Sequence, residues 1–250
     1  MSPAMAEMKA YPRYLFDKVE PYLGERVWEI GVGHGTYTGW LHARGKSVLA
    51  TDIDVKCVQS VKDRFRDDLR VVTAQVDLTS AESIFAQHQF QADSILCFNV
   101  MEHIQDDVSA LRWLRISVAQ RARCGLIVPA HPHLFGRMDS EAGHFRRYTR
   151  WSLATALRQS GWVVERVRYL NVVGAIGWWY HNRWRKQAGL ADGAVNRQMR
   201  SADAWLPKFA RLTDPLFGYL SGLSVMAIAH AGPLTEADKA EGRRFDCHFD

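Results

Sequence analysis

Short runs of β-branched and aliphatic residues alternate with longer stretches of helical spacing along most of this chain, the arrangement of a parallel sheet with helices on both faces. The runs predict strands at residues 26–30, 47–51, 70–74, 93–98, 124–128 and 162–169, and a seventh at 224–230. Between them, apolar positions recurring at three and four predict helices at 54–65, 80–88, 106–120 and 149–159, several opened by Asp, Ser or Thr in a capping position, with an earlier helix at 11–23. After Asn171 the alternation breaks. A helical insertion of roughly residues 172–222 follows, in which Trp178, Trp179 and Trp184, then Trp205, Phe209, Leu212 and Leu216, predict two or three helices punctuated by Pro207 and Pro215. Residues 216–229 carry no charge but are too few for a transmembrane helix, so they read as a buried strand with its lead-in. The terminal residues 237–250 are polar and aperiodic and are expected to be loosely ordered.

Composition narrows the class. A chain of 250 residues, 47% hydrophobic and 24% charged, is expected to form one globular α/β domain over 1–250 rather than a disordered or membrane-spanning chain. The first twenty residues lack the apolar core and cleavage pattern of a secretion signal, so the expected location is cytoplasmic. Cys57, Cys97, Cys124 and Cys247 form no close pair, which excludes a disulfide framework and a zinc knuckle; the first three read as small core residues. The net charge of +5 is regional: residues 137–211 hold 14 Lys/Arg against 5 Asp/Glu, so the rest of the chain is acidic overall. Such a segment suits RNA, an anionic membrane surface or an acidic substrate, or is a solvated basic face.

The sharpest chemical signal is VWEIGVGHGTYTGWL at residues 27–41, where a strand runs into Gly31, Gly33 and Gly35 before a helix. Three glycines in five residues let backbone pass close to a ligand. The dinucleotide fingerprint G-x-G-x-x-G fails, because its sixth position is Thr36. Glu29 at the strand end would also repel a pyrophosphate but attract a ligand carrying ammonium and sulfonium groups; the alternative is that it caps local amides. Asp52 ends the second strand, where a carboxylate can accept from both ribose hydroxyls, and Asp77 lies just past the third, with the amide of Leu78 beside it.

Together E-x-G-x-G-x-G, the acid of ATDID, VDL and ADSILCFNVMEHIQDD resemble the class I S-adenosylmethionine-dependent methyltransferases, in their quinone, sugar and lipid branch. The resemblance covers roughly residues 20–170. It implies a Rossmann-like, doubly wound sheet of seven strands whose last strand is antiparallel. It also assigns Glu29, Gly31, Gly33 and Gly35 to the methionine portion of S-adenosylmethionine, Asp52 and the neighbouring Ile53 to the ribose, Asp77 and Leu78 to adenine, and the Asn99 backbone to the ammonium. Some quinone enzymes of this branch resemble E-x-x-E-H and bind a divalent metal there; this chain has Asn99, Glu102 and His103, and no metal is expected.

Methyl transfer needs mainly position, with a base useful for a hydroxyl acceptor. His103 is the first candidate base, against the reading in which Glu102 and His103 merely open a helix. A second polar cluster, His131, His133, His144, Arg146, Arg147 and Tyr148, offers His144 as a base and Arg147 and Tyr148 as acceptor contacts, against the reading of surface charge and a helix lead-in. Trp178 and its neighbours read as core, as a lid over an apolar acceptor, or as an interfacial patch. The expected function is O-methylation of a small-molecule or lipid-linked acceptor, with nucleic acid disfavoured and peripheral contact with an inner membrane through residues 174–212 held open. The alternatives are an RNA or protein methyltransferase and a noncatalytic, membrane-associated protein that keeps the fold.

Overall fold

In a computed structural model, which describes residues 8–175, 193, 197, 201–245 and 247, all seven predicted strands form, and they build one sheet. In chain order the elements are α1 (Ala10–Val19), β1 (Arg26–Ile30), α2 (Thr36–Ala43), β2 (Ser47–Asp52), α3 (Val55–Arg64), β3 (Val71–Gln75), α4 (Ala81–Phe85), β4 (Ser94–Phe98), α5 (Asp107–Ser117), β5 (Arg123–Pro129), α6 (Arg137–Ala142), α7 (Arg150–Gln159), β6 (Trp162–Leu170), α8 (Leu206–Phe217), β7 (Ser224–Ala231) and α9 (Glu236–Arg243). The capping residues read from the sequence do start their helices: Asp54 accepts from the Lys56 amide, Ser80 from Ser83, Asp106 from Ser109 and Thr149 from Ser152.

The strand order is β3-β2-β1-β4-β5-β7-β6. β1 pairs in parallel with both β2 and β4, so the crossovers diverge from it and a crevice opens at the carboxyl ends of β1 and β4. β7 runs antiparallel between β5 and β6. The central strands are buried on both faces, as their near-continuous apolar runs require. One core, with Trp28, Leu49, Ile95, Leu111, Leu126 and Trp162, lies on one face; the other, with Tyr14, Phe16, Val27, Val48, Leu96 and Ile228, lies opposite. Pro215 falls inside α8 rather than ending it, in the last turn before Gly218.

Two expectations need correction. Cys57 is only half-buried at the edge of a core, whereas Cys247 is buried beside Phe85 and Ile116. The described part of the terminal segment, 237–245 and 247, is also not loose. Thr235 caps α9 in a reciprocal box with Asp238, and Phe245 stacks on Phe85. The Asp238 carboxylate meets Arg115 at 2.5 Å and Arg112 at 2.9 Å, and the Arg115 and Asp238 side chains are each 3% exposed. Polarity alone suggested disorder; a partner more than a hundred residues away supplies the order.

Although burial opposes it, the bonds from Arg115, Thr235 and Arg112 hold the Asp238 carboxyl well below the usual carboxylate range. Its contribution to stability is therefore whole above the ordinary carboxylate pKa of about 4 and is lost as pH falls below it. Asp238→Ala, which strands the Arg115 guanidinium, should lower the unfolding free energy by about 3 kcal/mol at neutral pH in urea titration, and by progressively less under acid conditions.

Candidate active site

The crevice is built first by backbone. Gly31 and Val32 donate their amides to the Thr51 carbonyl at 2.8 and 3.1 Å, tying the end of β1 to β2. Gly31, Gly33 and Gly35 all stand at positive φ, +77°, +48° and +68°. A Cβ on Gly31 would lie 2.4 Å from Val100 Cγ2, and one on Gly35 would lie 2.9 Å from Val61 Cγ2, so side chains there would fill the cradle. The Gly33 amide donates to Asp52 Oδ2 at 2.9 Å, and Asp52 Oδ1 accepts from the Asp54 amide at 3.0 Å, which fixes that carboxylate at the tip of β2.

Glu29 is 1% exposed; its Oε2 accepts from Thr38 Oγ1 at 2.6 Å and its Oε1 has no hydrogen-bond partner among the described residues. Its bond is thus to a hydroxyl of α2, not to a backbone amide. Burial, with the nearby Asp52 charge adding to it, pushes the Glu29 carboxyl up to about 8. Past β3, Asp77 Oδ1 accepts from the amide and hydroxyl of Thr79 at 2.8 and 2.7 Å, Leu78 is buried, and Ile53 across the way is 62% exposed. Asn99 leaves β4 at φ +54° with its side chain exposed and its amide held by the Ile127 carbonyl at 2.8 Å. A carboxyl with an open oxygen, glycine backbone that admits no Cβ, and an acid at the adjacent strand tip fit a cationic nucleoside better than a pyrophosphate.

Beside this crevice a single helical turn, Met101–His103, follows β4, and a loop leaving β5 returns over it through α6. Gly143, at φ +79°, turns the chain so that His144 meets His103, ring centroids 4.7 Å apart and edge to face. His144 Nδ1 lies 2.9 Å from Asp139 Oδ1, and the same oxygen accepts from Arg147 Nε at 2.8 Å. These bonds hold the Asp139 carboxyl below its usual range although burial opposes it. A donating Nδ1 leaves Nε2 as the acceptor, and Nε2 sits 4.0 Å from Glu102 Oε1. Glu102 is wholly buried, neither of its oxygens has a hydrogen-bond partner, and burial pushes it up to about 8. Burial, then the His144 charge, pulls His103 below 6.5, so its ring is a neutral proton acceptor at physiological pH. Ligand-capable atoms of Glu102, His103 and His144 lie within 4.8 Å of one another, a donor set able to take a cation as well as a proton. His144 is the third member that spacing along the chain did not offer.

The loop also departs from expectation. Arg147 is 7% exposed and spends its donors on Asp139 and, at 3.2 Å, the Ala130 carbonyl. Tyr148 is 3% exposed and donates to Asp107 Oδ2 at 2.6 Å. Both brace the histidine loop from behind instead of presenting free groups to an acceptor. Trp178 lies outside the described residues. His131, at φ +63°, stacks on Tyr169 with centroids 4.8 Å apart and bonds Ser221 Oγ at 2.9 Å.

A further wall was not foreseen. Asp203 accepts from the amides of Lys9, Ala10 and Tyr11 at 2.9, 3.0 and 2.7 Å, and Asp214 accepts from the Tyr14 hydroxyl and the Asn171 and Val172 amides. These carboxylates fasten α1 to the insertion above β5 and β7. Tyr11 Oη and Asn171 Nδ2 are buried there, with no hydrogen bond of good geometry among the described residues. Nothing local in the sequence signals contacts across some two hundred residues.

Comparison with known proteins agrees with this geometry. Residues 28–124 match the family described as methyltransferase domain. Among curated proteins, none is similar to the chain by sequence. An S-adenosylmethionine-dependent methyltransferase from Mesorhizobium loti is similar in fold, with TM-score 0.59 and 14% identity over 87% of this chain and 97% of that one. One from Archaeoglobus fulgidus gives 0.59 and 13%, over 89% and 94%. Phosphoethanolamine N-methyltransferase 2 of Haemonchus contortus, solved with S-adenosyl-L-methionine, gives 0.58 and 13%, over 88% of this chain and 53% of that one. Residues 28–124 thus match a methyltransferase domain, and the chain as a whole has the fold found in S-adenosylmethionine-dependent methyltransferases.

Proposed function

We propose that this enzyme transfers the methyl group of S-adenosylmethionine to a hydroxyl oxygen of a small or lipid-linked acceptor, with the paired histidines receiving the proton. The observation that carries the reading is the Asp139–His144–His103 arrangement beside the glycine cradle, a histidine pair in which the buried Asp139 carboxylate holds His144 Nδ1 and leaves Nε2 turned toward the turn after β4. The cofactor supplies a methyl already activated by a sulfonium, so the protein's task is placement. Gly31, Gly33 and Gly35 admit the methionine portion. Asp52 accepts the ribose hydroxyls, Ile53 covers the sugar, and Asp77 and Leu78 meet the adenine. Glu29 and the Asn99 backbone receive the ammonium. His144 Nε2, or His103 in contact with it, takes the acceptor proton as the oxygen–carbon bond forms. Arg147 and Tyr148 act one step back, by holding Asp139 and the loop.

Calorimetry with S-adenosylhomocysteine tests the cofactor half. The wild type should bind, and Asp52→Ala should bind at least about tenfold more weakly, since hydrogen bonds to a charged acceptor are each worth roughly 1.5–3 kcal/mol. No heat from the wild type, or equal affinity in the variant, overturns the reading.

Because the free Glu29 carboxyl titrates near 8, an ammonium seated beside it must expel a proton at neutral pH. Affinity for S-adenosylhomocysteine should therefore rise with pH up to about 8 and proton release should be measurable in buffers of different ionisation enthalpy. Glu29→Gln should abolish that release.

The catalytic half is read from label transfer out of methyl-labelled cofactor into cell extract. Asp139→Asn should cut turnover at least about tenfold, the lower range of general-base effects, while leaving S-adenosylhomocysteine affinity unchanged. Unaltered turnover would exclude His144 as the base.

A further inference from the structure

α8 and the turn behind it carry a surface that methyl transfer does not explain. Trp205, Phe209, Leu212 and Leu216 recur at a spacing of four, three and four, which sets them on one narrow stripe. Phe217, Tyr219 and Leu220 continue the apolar surface around Gly218. These seven side chains run from 44% exposed at Trp205 to 76% at Leu220. The opposite side of the helix, Leu206, Pro207, Ala210 and Asp214, is buried. Asp214 is bonded to Tyr14, Asn171 and Val172, so the helix cannot roll to hide its stripe. Large apolar residues scattered singly over a surface are ordinary; a contiguous band of seven is not.

Charge identifies what the band meets. Lys208 and Arg211 stand on α8 beside the stripe, and the Arg168 guanidinium lies 4.6 Å over the Tyr219 ring. Between residues 204 and 223 the one acid is Asp214, which is 3% exposed. The rim of the band is thus cationic, and it belongs to the segment in which basic residues outnumber acidic ones by nine. Arg211 is paired with Asp17 of α1 at 2.7 Å, but Lys208 stands nearer the stripe, and two copies packed stripe to stripe would bring the two Lys208 ammonium groups together with no exposed carboxylate of α8 to answer them. Aromatic rings and leucines flanked by Lys and Arg instead match the boundary between acyl chains and anionic headgroups. No helix among the described residues is long and apolar enough to cross a membrane, so the contact would be peripheral.

We propose that the exposed stripe of α8, with Tyr219 and Leu220, docks the enzyme on an anionic lipid surface. The band ends at Ser221, whose hydroxyl holds His131 in the loop that also carries His144. The docked face is thus joined through one hydrogen bond to the loop that carries His144, and a lipid-linked acceptor is the class of substrate such docking would bring to that loop. The docking stands apart from the proposed chemistry; the delivery of an acceptor rests on it.

Vesicle co-sedimentation of the full chain tests the proposal, using phosphatidylcholine vesicles and equal mixtures of phosphatidylcholine and phosphatidylglycerol. The wild type should sediment with the mixed vesicles, less with the neutral ones, and less as salt rises. The double variant Leu212→Glu/Leu216→Glu should lose at least about tenfold in vesicle affinity, since it charges the centre of the interfacial stripe. Both leucines are 71% exposed, so the variant should keep the wild-type unfolding midpoint and S-adenosylhomocysteine affinity, which separates failed docking from failed folding or failed cofactor binding. Equal sedimentation of variant and wild type overturns the proposal. So does a wild type that ignores both vesicles, whether it remains a monomer by light scattering or forms a dimer that the variant dissolves.

Discussion

A carboxyl group taken out of water without a cation beside it lies beneath the glycine loop, and the cofactor side of the molecule is organised around that cost. Glu29 sits inside β1, between β2 and β4, and its side chain is buried against Thr38 of α2. One oxygen is satisfied by Thr38 and the other is not. A buried polar atom left open is expensive unless a ligand completes it. The same loop keeps its backbone at positive φ to make room above that oxygen, at positions where a Cβ would strike Val100 or Val61. Cradle and carboxyl thus lie at the end of the same strand: the glycines keep the loop free of side chains, and the acid is buried beneath it.

The histidine side of the crevice follows a different logic. Glu29 is fixed by its strand, but His144 is placed by a chain of bonds passing through Asp139 to Arg147 and on to the Ala130 carbonyl. Phe145 closes the arrangement by donating its amide to the Glu102 carbonyl at 2.8 Å, which ties the loop to the turn after β4. A side chain on a loop is made precise by what stands behind it, and here the neighbours at 146, 147 and 148 bond to Asp107, Asp139 and Ala130 rather than to solvent. Arg147 and Tyr148, which look like substrate contacts in the sequence, hold the loop that carries His144.

This contrast explains how much could be read from the chain alone. The strands, their helices and the residues at strand tips were legible because each depends on a few neighbouring residues: alternation, a capping Asp or Ser, an acid closing an apolar run. Glu29, Gly31, Asp52 and Asn99 all fall at the carboxyl ends of adjacent strands for that reason. Asp139, Asp203 and Asp214 were not legible, since what each does is decided by a partner brought near only by folding. The order of α9 was hidden in the same way, because the residues that make Asp238 structural lie on α5. Trp205 to Leu220 had the opposite difficulty: the helical period was plain, but only packing reveals which side of that helix stays uncovered.

The position of β7 carries a consequence for how the protein comes into being. Among the described strands β6 has β7 as its sole neighbour, and β7 is inserted between it and β5. A ribosome extruding this chain releases residues 162–170 well before 224–231, so both β5 and β6 wait as open edges while the intervening helices emerge. Closure is then a late, long-range event, and the nascent chain is most exposed to mispairing during that interval.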